Sequence, residues 1–311
     1  MKIVLNGDGG CGLPAPKSVY LTGRRACMYQ ILAFAAVTAV LFLMWVSLYD
    51  THRFVVTEKK FTSPKVRQKR RYVMLSDLHG QQYGRENRVL LEKIRDLHPD
   101  AVLIAGDMLT ADKKTKPEPV TDFLDKLCRQ YPVYYANGNH EQKIALYPQR
   151  YGKLTERYEG ALQQAGVHRL INEQVFFPDC GIELYGVEIG HHYFGRFKLP
   201  QMPAGYMEEL LGKPREEAFT ILLAHNPDYF PSYAEWGADL VLSGHVHGGI
   251  MRLPFLGGVI APSMRLFPKY DGGEYHEGNS VMVLGRGIGT HSPNVRFFNP
   301  GELVVIDLEP S

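Results

Sequence analysis

The ends of the apolar runs constrain this chain most. From about Phe54 onward, short apolar runs alternate with amphipathic stretches, and run after run stops at a carboxylate, a carboxamide or an imidazole. Residues 72–76 lead to Asp77 and His79, and 101–105 to Asp107. Residues 133–136 lead to Asn139 and His140, 219–224 to His225, and 239–244 to His245 and His247. In open α/β sheets, ligands collect beyond the carboxyl ends of strands. A lone histidine there is ordinarily a hydrogen-bonded structural residue, whereas an ordered series of metal-type side chains points to one shared site. In an extended segment residues i and i+2 face the same way. Asp77 and His79 are therefore expected to reach one ion together, with His245 and His247 as a matching pair.

Further apolar runs at 182–187, 280–285 and 303–308 also predict strands. Leu90, Ile94 and Leu97 mark one face of a first helix, and Phe123, Leu124 and Leu127 mark a second. Residues 148–166 predict a third, ending at Gly166. Strand–helix–strand alternation implies right-handed crossovers and a largely parallel sheet at the start. The C-terminal half has more strands and fewer helices. The expectation is an α/β domain of two packed mixed sheets flanked by helices.

A different signal precedes it. Residues Tyr29–Tyr49 carry no charge, and at about 1.5 Å per residue they can cross a hydrocarbon core of about 30 Å. Arg24 and Arg25 precede the run, and Trp45 and Tyr49 sit near its far end. No small-x-small cleavage site follows, so the run reads as an uncleaved single-pass anchor in the cell membrane rather than a signal peptide. Basic residues flank both sides, which leaves the side of the globular domain open. The expected division is a flexible tail at 1–27, a transmembrane anchor at 28–49, a basic juxtamembrane segment at 50–71 and the globular domain at 72–311. Gly7, Gly9 and Gly12 fit a dinucleotide-binding spacing, but two prolines stand where the helix should start. A net charge of +2 argues against a nucleic-acid partner. Cys11, Cys27, Cys128 and Cys180 lack C-x-x-C spacing and read as free thiols.

The blocks SDLHG, GDM, GNHE, AHNP and GHVHGG, in this order, resemble the five motifs of the calcineurin-like metallophosphoesterase superfamily. GHVHGGIMRLPFLG and VRFFNPGELVVIDL further resemble its bacterial membrane-associated or exported branch. The resemblance spans nearly all of residues 72–308. It implies a four-layer α/β/β/α sandwich and a metal-dependent phosphoric ester hydrolase. It also implies two divalent ions, of manganese, iron or zinc: Asp77, His79 and His247 on one, Asn139, His225 and His245 on the other, and Asp107 bridging. Two such ions about 3.5–4 Å apart activate a shared water and clamp the phosphoryl oxygens.

By the same resemblance His140 is the candidate general acid. Relatives often read GDxxD, with the second Asp orienting this histidine, but here the chain reads GDMLT. Thr110 takes that place, and Asp112, a backbone group or a simple donor role for His140 remain as alternatives. Arg286, His191 and Arg196 are candidate substrate contacts. Some members of this branch cleave UDP-2,3-diacylglucosamine in lipid A synthesis, which makes a lipid-linked phosphoester one expected substrate. Soluble nucleotides or metabolites are the second, and a non-catalytic metal-binding scaffold the third reading.

Overall fold

The computed structural model describes residues 17–195, 199–253, 255–261, 264–290 and 294–311, with side chains described from residue 27. It divides into two compact units, Met1–Trp45 and Val46–Ser311. Helix α1 runs over Lys17–Thr51. Residues 17–27 are thus helical, where the sequence suggested a tail. No proline follows Pro16 within it, and extending an existing helix costs far less than nucleating one. The glycine pattern at 7–12 lies outside the described residues.

The strands are β1 (Phe54–Ser63), β2 (Arg70–Leu75), β3 (Ala101–Ile104), β4 (Val133–Tyr135), β5 (His168–Arg169), β6 (Glu173–Phe177), β7 (Ile182–Val187), β8 (Phe219–Ala224), β9 (Leu240–Ser243), β10 (Met251–Leu253), β11 (Gly257–Ile260), β12 (Gly273–Glu277), β13 (Ser280–Leu284) and β14 (Gly301–Pro310). The remaining helices are α2 (Arg88–Leu97), α3 (Glu118–Cys128), α4 (Asn139–Leu146), α5 (Pro148–Tyr151), α6 (Leu154–Ala165), α7 (Tyr206–Leu211) and α8 (Phe230–Trp236). The helix expected over 148–166 is broken at Gly152, whose φ of 62° no helix accommodates.

One six-stranded sheet has the order β1-β14-β2-β3-β4-β5 and the other β12-β13-β9-β8-β7-β6, with β10-β11 as a separate hairpin. Both sheets are mixed. In the first, β2 to β5 are parallel and β14 runs against β2. In the second, β7, β8, β9 and β13 are parallel, with antiparallel neighbours at both edges. Three apolar layers hold this together. Leu90, Ile94, Phe123, Leu124, Tyr158 and Leu162 pack α2, α3 and α6 on the outer face of the first sheet. Met74, Leu103, Leu184, Ile221 and Leu242 meet between the sheets. Phe230 and Tyr233 of α8 pack with Tyr185 and Val241 on the far side. The expected four-layer sandwich is therefore the fold.

Its start differs from the expectation. Residues 50–71 are part of the domain, because β1 pairs in parallel with β14 from Phe54↔Gly301 to Ser63↔Pro310. Phe54 and Val56 pack against the helix-side core, and Val66 is buried between the sheets. Nor does the basic run stand free. Lys65 Nζ lies 2.9 Å from Asp239, and Arg71 Nη2 2.7 Å from Asp307. Lysines interleaved with apolar residues hide a strand that lies at a sheet edge, where charged side chains are tolerated.

Candidate metal centre

All seven expected ligands sit at the carboxyl ends of parallel strands, and the two sheets contribute from opposite sides. The loops after β2, β3 and β4 carry Asp77, His79, Asp107 and Asn139. Those after β8 and β9 carry His225, His245 and His247. Six of them, joined by His140, meet in three groups: Asp77 with His79 and His247, His79 with Asp107 and His140, and Asp107 with His225 and His245. Asp107 Oδ2 lies 3.0 Å from His225 Nε2, 3.9 Å from His79 Nε2 and 4.0 Å from His140 Nε2. His247 Nε2 lies 3.4 Å from Asp77 Oδ1 and 3.1 Å from His79 Nε2.

The extended geometry expected for the two i, i+2 pairs is wrong. Asp77, His79, Asp107, His245 and His247 all have positive φ, between 49° and 74°. Left-handed backbone is costly for such residues and persists where the surroundings over-determine it. Here the loops after β2 and β3 continue the ladder beyond the strands. Asp77 N donates to Gly106 O, His79 N to Asp107 O and Gly80 N to Met108 O, at 2.9–3.1 Å. The chain curls inward instead of alternating, which brings Asp77 and His79 into one group, whereas His245 and His247 go to different groups, His247 to Asp77 and His79 and His245 to Asp107 and His225.

Glu141 holds the next loop. Its buried carboxylate accepts from the amides of Asp107 (2.9 Å), Leu109 (3.0 Å) and Gly138 (3.0 Å). It stands at the third position of α4 and completes the helix start. Asp107 Oδ1 in turn accepts from His140 N at 2.8 Å. A Cβ on Gly138 would overlap the Asp107 carboxylate and amide, well inside van der Waals contact, so only glycine fits there.

The electrostatics are those of a cation site. Burial pushes the Asp77 carboxyl up and Asp107 to about 7, against the pull of the His225 imidazole on each. Burial disfavours charge on His225 as well, but Asp107 and then Asp77 outweigh it and lift the ring to about 10. His225 Nδ1 is 2.6 Å from Ala105 O, which orients Nε2 into the centre. Asn139 Oδ1 is buried with no hydrogen-bond partner. An orphaned buried carbonyl, two buried carboxylates and converging imidazole nitrogens fit hard-to-borderline divalent ions.

His140 reaches the same centre with its orientation set by the backbone. The amide of Ala111 donates to His140 Nδ1 at 2.7 Å. The neutral ring therefore carries its proton on Nε2, the atom that faces the centre. Asp112 is not the substitute for the missing carboxylate, because it accepts from Lys114 N in its own turn. The Thr110 hydroxyl lies 3.2 Å from His79 Nδ1 instead.

A cavity of about 320 Å³ opens over the cluster, lined by His79, Asp107, Asn139, His140, His245 and His247. His191 lines it too, with Nδ1 3.2 Å from Gln142 Oε1, and burial, Lys143 and His192 lower its pKa. Arg286 does not line it. Both its amide and its guanidinium are taken by Glu302, at 2.9 and 3.2 Å, so the expected phosphate contact is a structural ion pair. Arg196 lies outside the described residues. The sequence reading missed Lys143, which adds positive charge to the wall, and Arg265, which is paired there with Asp228 at 2.6 Å. It also missed Arg296, whose guanidinium donates to the carbonyls of Arg286, Gly287, Gly289 and Asn299 at 2.6–3.1 Å. Burial lowers that guanidinium to about 10. Asn299 Nδ2 donates to His247 O (2.7 Å) and Gly249 O (2.6 Å), so the two residues brace the His247 loop from behind.

A family model described as Calcineurin-like phosphoesterase matches residues 70–249, more than half of the chain. A metallophosphoesterase of Campylobacter jejuni is 28% identical over 255 residues, 79% of this chain and 61% of the relative. Metallophosphoesterase YkuE of Bacillus subtilis is 26% identical over 290 residues, 91% of this chain and 95% of the relative. Phosphodiesterase YaeI of Escherichia coli is 28% identical over 166 residues, 53% of this chain and 54% of the relative.

Proposed function

The chain belongs to the calcineurin-like phosphoesterase family, and from that premise we propose a membrane-anchored hydrolase that cleaves a phosphoester or pyrophosphate bond presented at a bilayer. One observation carries the reading: the Asp107 carboxylate faces imidazoles from both sheets at 3.0–4.0 Å, between two further ligand groups. Asp77, His79 and His247 would hold one ion, Asn139, His225 and His245 the other, and Asp107 both. Two such ions polarise the phosphoryl group and activate water.

The protein's own groups do the rest. Glu141 and the Ala105 carbonyl fix Asp107 and His225 before substrate arrives. His140 presents an Nε2–H to an oxygen of the substrate, and its Nδ1 is occupied as an acceptor. It thus acts as an oriented hydrogen-bond donor, worth about 10²–10³ in rate for charge developing on the leaving oxygen. Lys143 attracts the anion, while Phe194, Leu199 and Val246 supply an apolar wall for the remainder of the substrate. Cys27–Thr51 of α1 is apolar enough to span a bilayer, with a mean hydropathy of 2.5. That supports an anchor and a lipid-linked phosphoester such as UDP-2,3-diacylglucosamine.

The test is a screen of the full chain in detergent, loaded in turn with Mn, Fe and Zn, against mono-, di- and pyrophosphate esters, soluble and lipid-linked. Faster turnover of lipid-linked esters is expected, and loss of turnover in Asp107→Asn. Preference for soluble nucleotides would reduce the helix to a localisation device. Full activity in Asp107→Asn would refute the mechanism, and a metal stoichiometry near zero would favour a scaffold.

A further inference from the structure

Isolated apolar side chains on a surface are ordinary, whereas a contiguous exposed set marks a contact site. In the second unit, Val89 and Ile171 are exposed singly and Leu146 only beside Tyr147. One stretch departs from this. Phe255 at the tip of the β10–β11 hairpin is fully exposed. Leu256 (63%), Met264 (63%), Leu266 (66%) and Phe267 (61%) follow within the same segment. Residues 255–260 contain no charged side chain. The Arg252 guanidinium is drawn back to the hairpin base by Gly248 O (3.1 Å) and Asp271 (3.3 Å).

The base of this hairpin adjoins the end of the apolar helix. Residues Val46–Thr51 of α1 belong to the second unit. Asp50 Oδ2 accepts from Asn299 N at 3.0 Å, and Asn299 Nδ2 reaches Gly249 O. Two residues earlier, Phe297 bridges to Met251, with Arg252 N on Phe297 O at 3.0 Å. The segment 297–299 thus touches the helix end and the root of the hairpin, and Phe298 within it is 43% exposed. Phe255 stands four residues after Met251, at most about 13 Å away along the chain.

We propose that the apolar hairpin tip, with Met264, Leu266 and Phe267, inserts into the headgroup–acyl boundary of a phospholipid bilayer and seats the cavity mouth against it. This rests on α1 being a membrane anchor. The occupant is a bilayer because Asp50, in the last turn of α1, and the root of the hairpin are both bound to residues 297–299. Elements of this kind bury about 5–10 Å into the interface. Ala261, after the hairpin, and Arg265, which stands within the second apolar cluster and is paired with Asp228 at 2.6 Å, line the cavity. A phosphate at headgroup depth would therefore arrive beside Arg265 and the histidines with its lipid chains still in the membrane.

Tryptophan depth measurements on the full chain test this. In a Trp45→Phe background only Trp236 remains, on α8, as reference. Phe255→Trp adds one reporter. The protein is reconstituted in phosphatidylglycerol/phosphatidylcholine vesicles with or without lipids brominated near the headgroup. Flotation reads the anchor, quenching reads the hairpin, and hydrolysis of bis(p-nitrophenyl) phosphate by the same sample reads the fold and the phosphoesterase. The expected result is flotation, strong bromolipid quenching of the added emission, little effect of aqueous acrylamide, and unchanged hydrolysis. A floating, active protein whose added emission ignores bromolipid and responds to acrylamide would overturn the hairpin proposal alone. Shielding from both quenchers would assign the patch to a protein partner and overturn it equally. Failure to float would remove the anchor and the proposal together.

Discussion

Replacing Glu141 with glutamine separates the loop scaffold from the metal ligands. The carboxylate accepts three backbone amides, two on Oε2 and one on Oε1. A glutamine can leave its carbonyl on the Asp107 and Gly138 amides, but its NH₂ then faces the Leu109 amide, donor to donor. One buried N–H is orphaned at about 1–3 kcal/mol, and two charge-assisted bonds fall to neutral ones at roughly 0.5–1.5 kcal/mol each. Against this, the Glu141 charge helps push the buried Asp107 carboxyl up, and removing it relieves that repulsion. The net expectation is a loss of about 2–4 kcal/mol in urea unfolding of the metal-free protein, where a lost buried network bond is the named cause. Because the Asp107 loop loosens, metal affinity measured by chelator competition should also fall about 10–100-fold, as for other groups that orient a ligand. Wild-type stability with wild-type affinity would refute the claim that this carboxylate sets the Asp107 loop.

Other changes separate the remaining roles. His140→Ala should lower kcat by about 10²–10³ and leave metal stoichiometry, read by elemental analysis, unchanged. Arg296→Lys replaces a planar fork on four loop carbonyls with a point charge, and should destabilise by about 1–3 kcal/mol for the carbonyls left unpaired, with weaker metal binding in the same titration. Gly138→Ala should abolish metal binding outright, since its methyl group competes with the Asp107 carboxylate for space. Saturating divalent metal should raise the unfolding free energy by about 2.7 kcal/mol at a hundredfold excess over Kd, and EDTA should reverse it. An unmoved Tm would count against ion binding.

The strand ends and their polar residues were legible in sequence because apolar runs that stop again and again at Asp or His imply something there for those side chains to bind. Their backbone geometry was not. Positive φ at Asp77 and His247 depends on hydrogen bonds to loops far away in the chain, which no local pattern encodes. Glu141 stood in view within GNHE, and its spacing from Gly138 was a usable helix-start signal. Arg296 and Asn299 gave none, since their partners are main-chain carbonyls that any sequence would supply. Strand β1 was hidden by its lysines, because alternation at a sheet edge reads as a solvated basic tract. Arg286 misled for the opposite reason: a basic residue in a glycine-rich loop suggests a phosphate, and Glu302 was already there.

The proposed ligands divide between the layers, Asp77, His79, Asp107 and Asn139 on one sheet and His225, His245 and His247 on the other. Cations at their meeting point would fasten the halves of the sandwich at the rim where apolar packing gives way to polar side chains. Starving a cell of such metals would then do more than silence an enzyme. It would unbutton the seam, and the protein's lifetime against proteases would track the supply of the ions it works with.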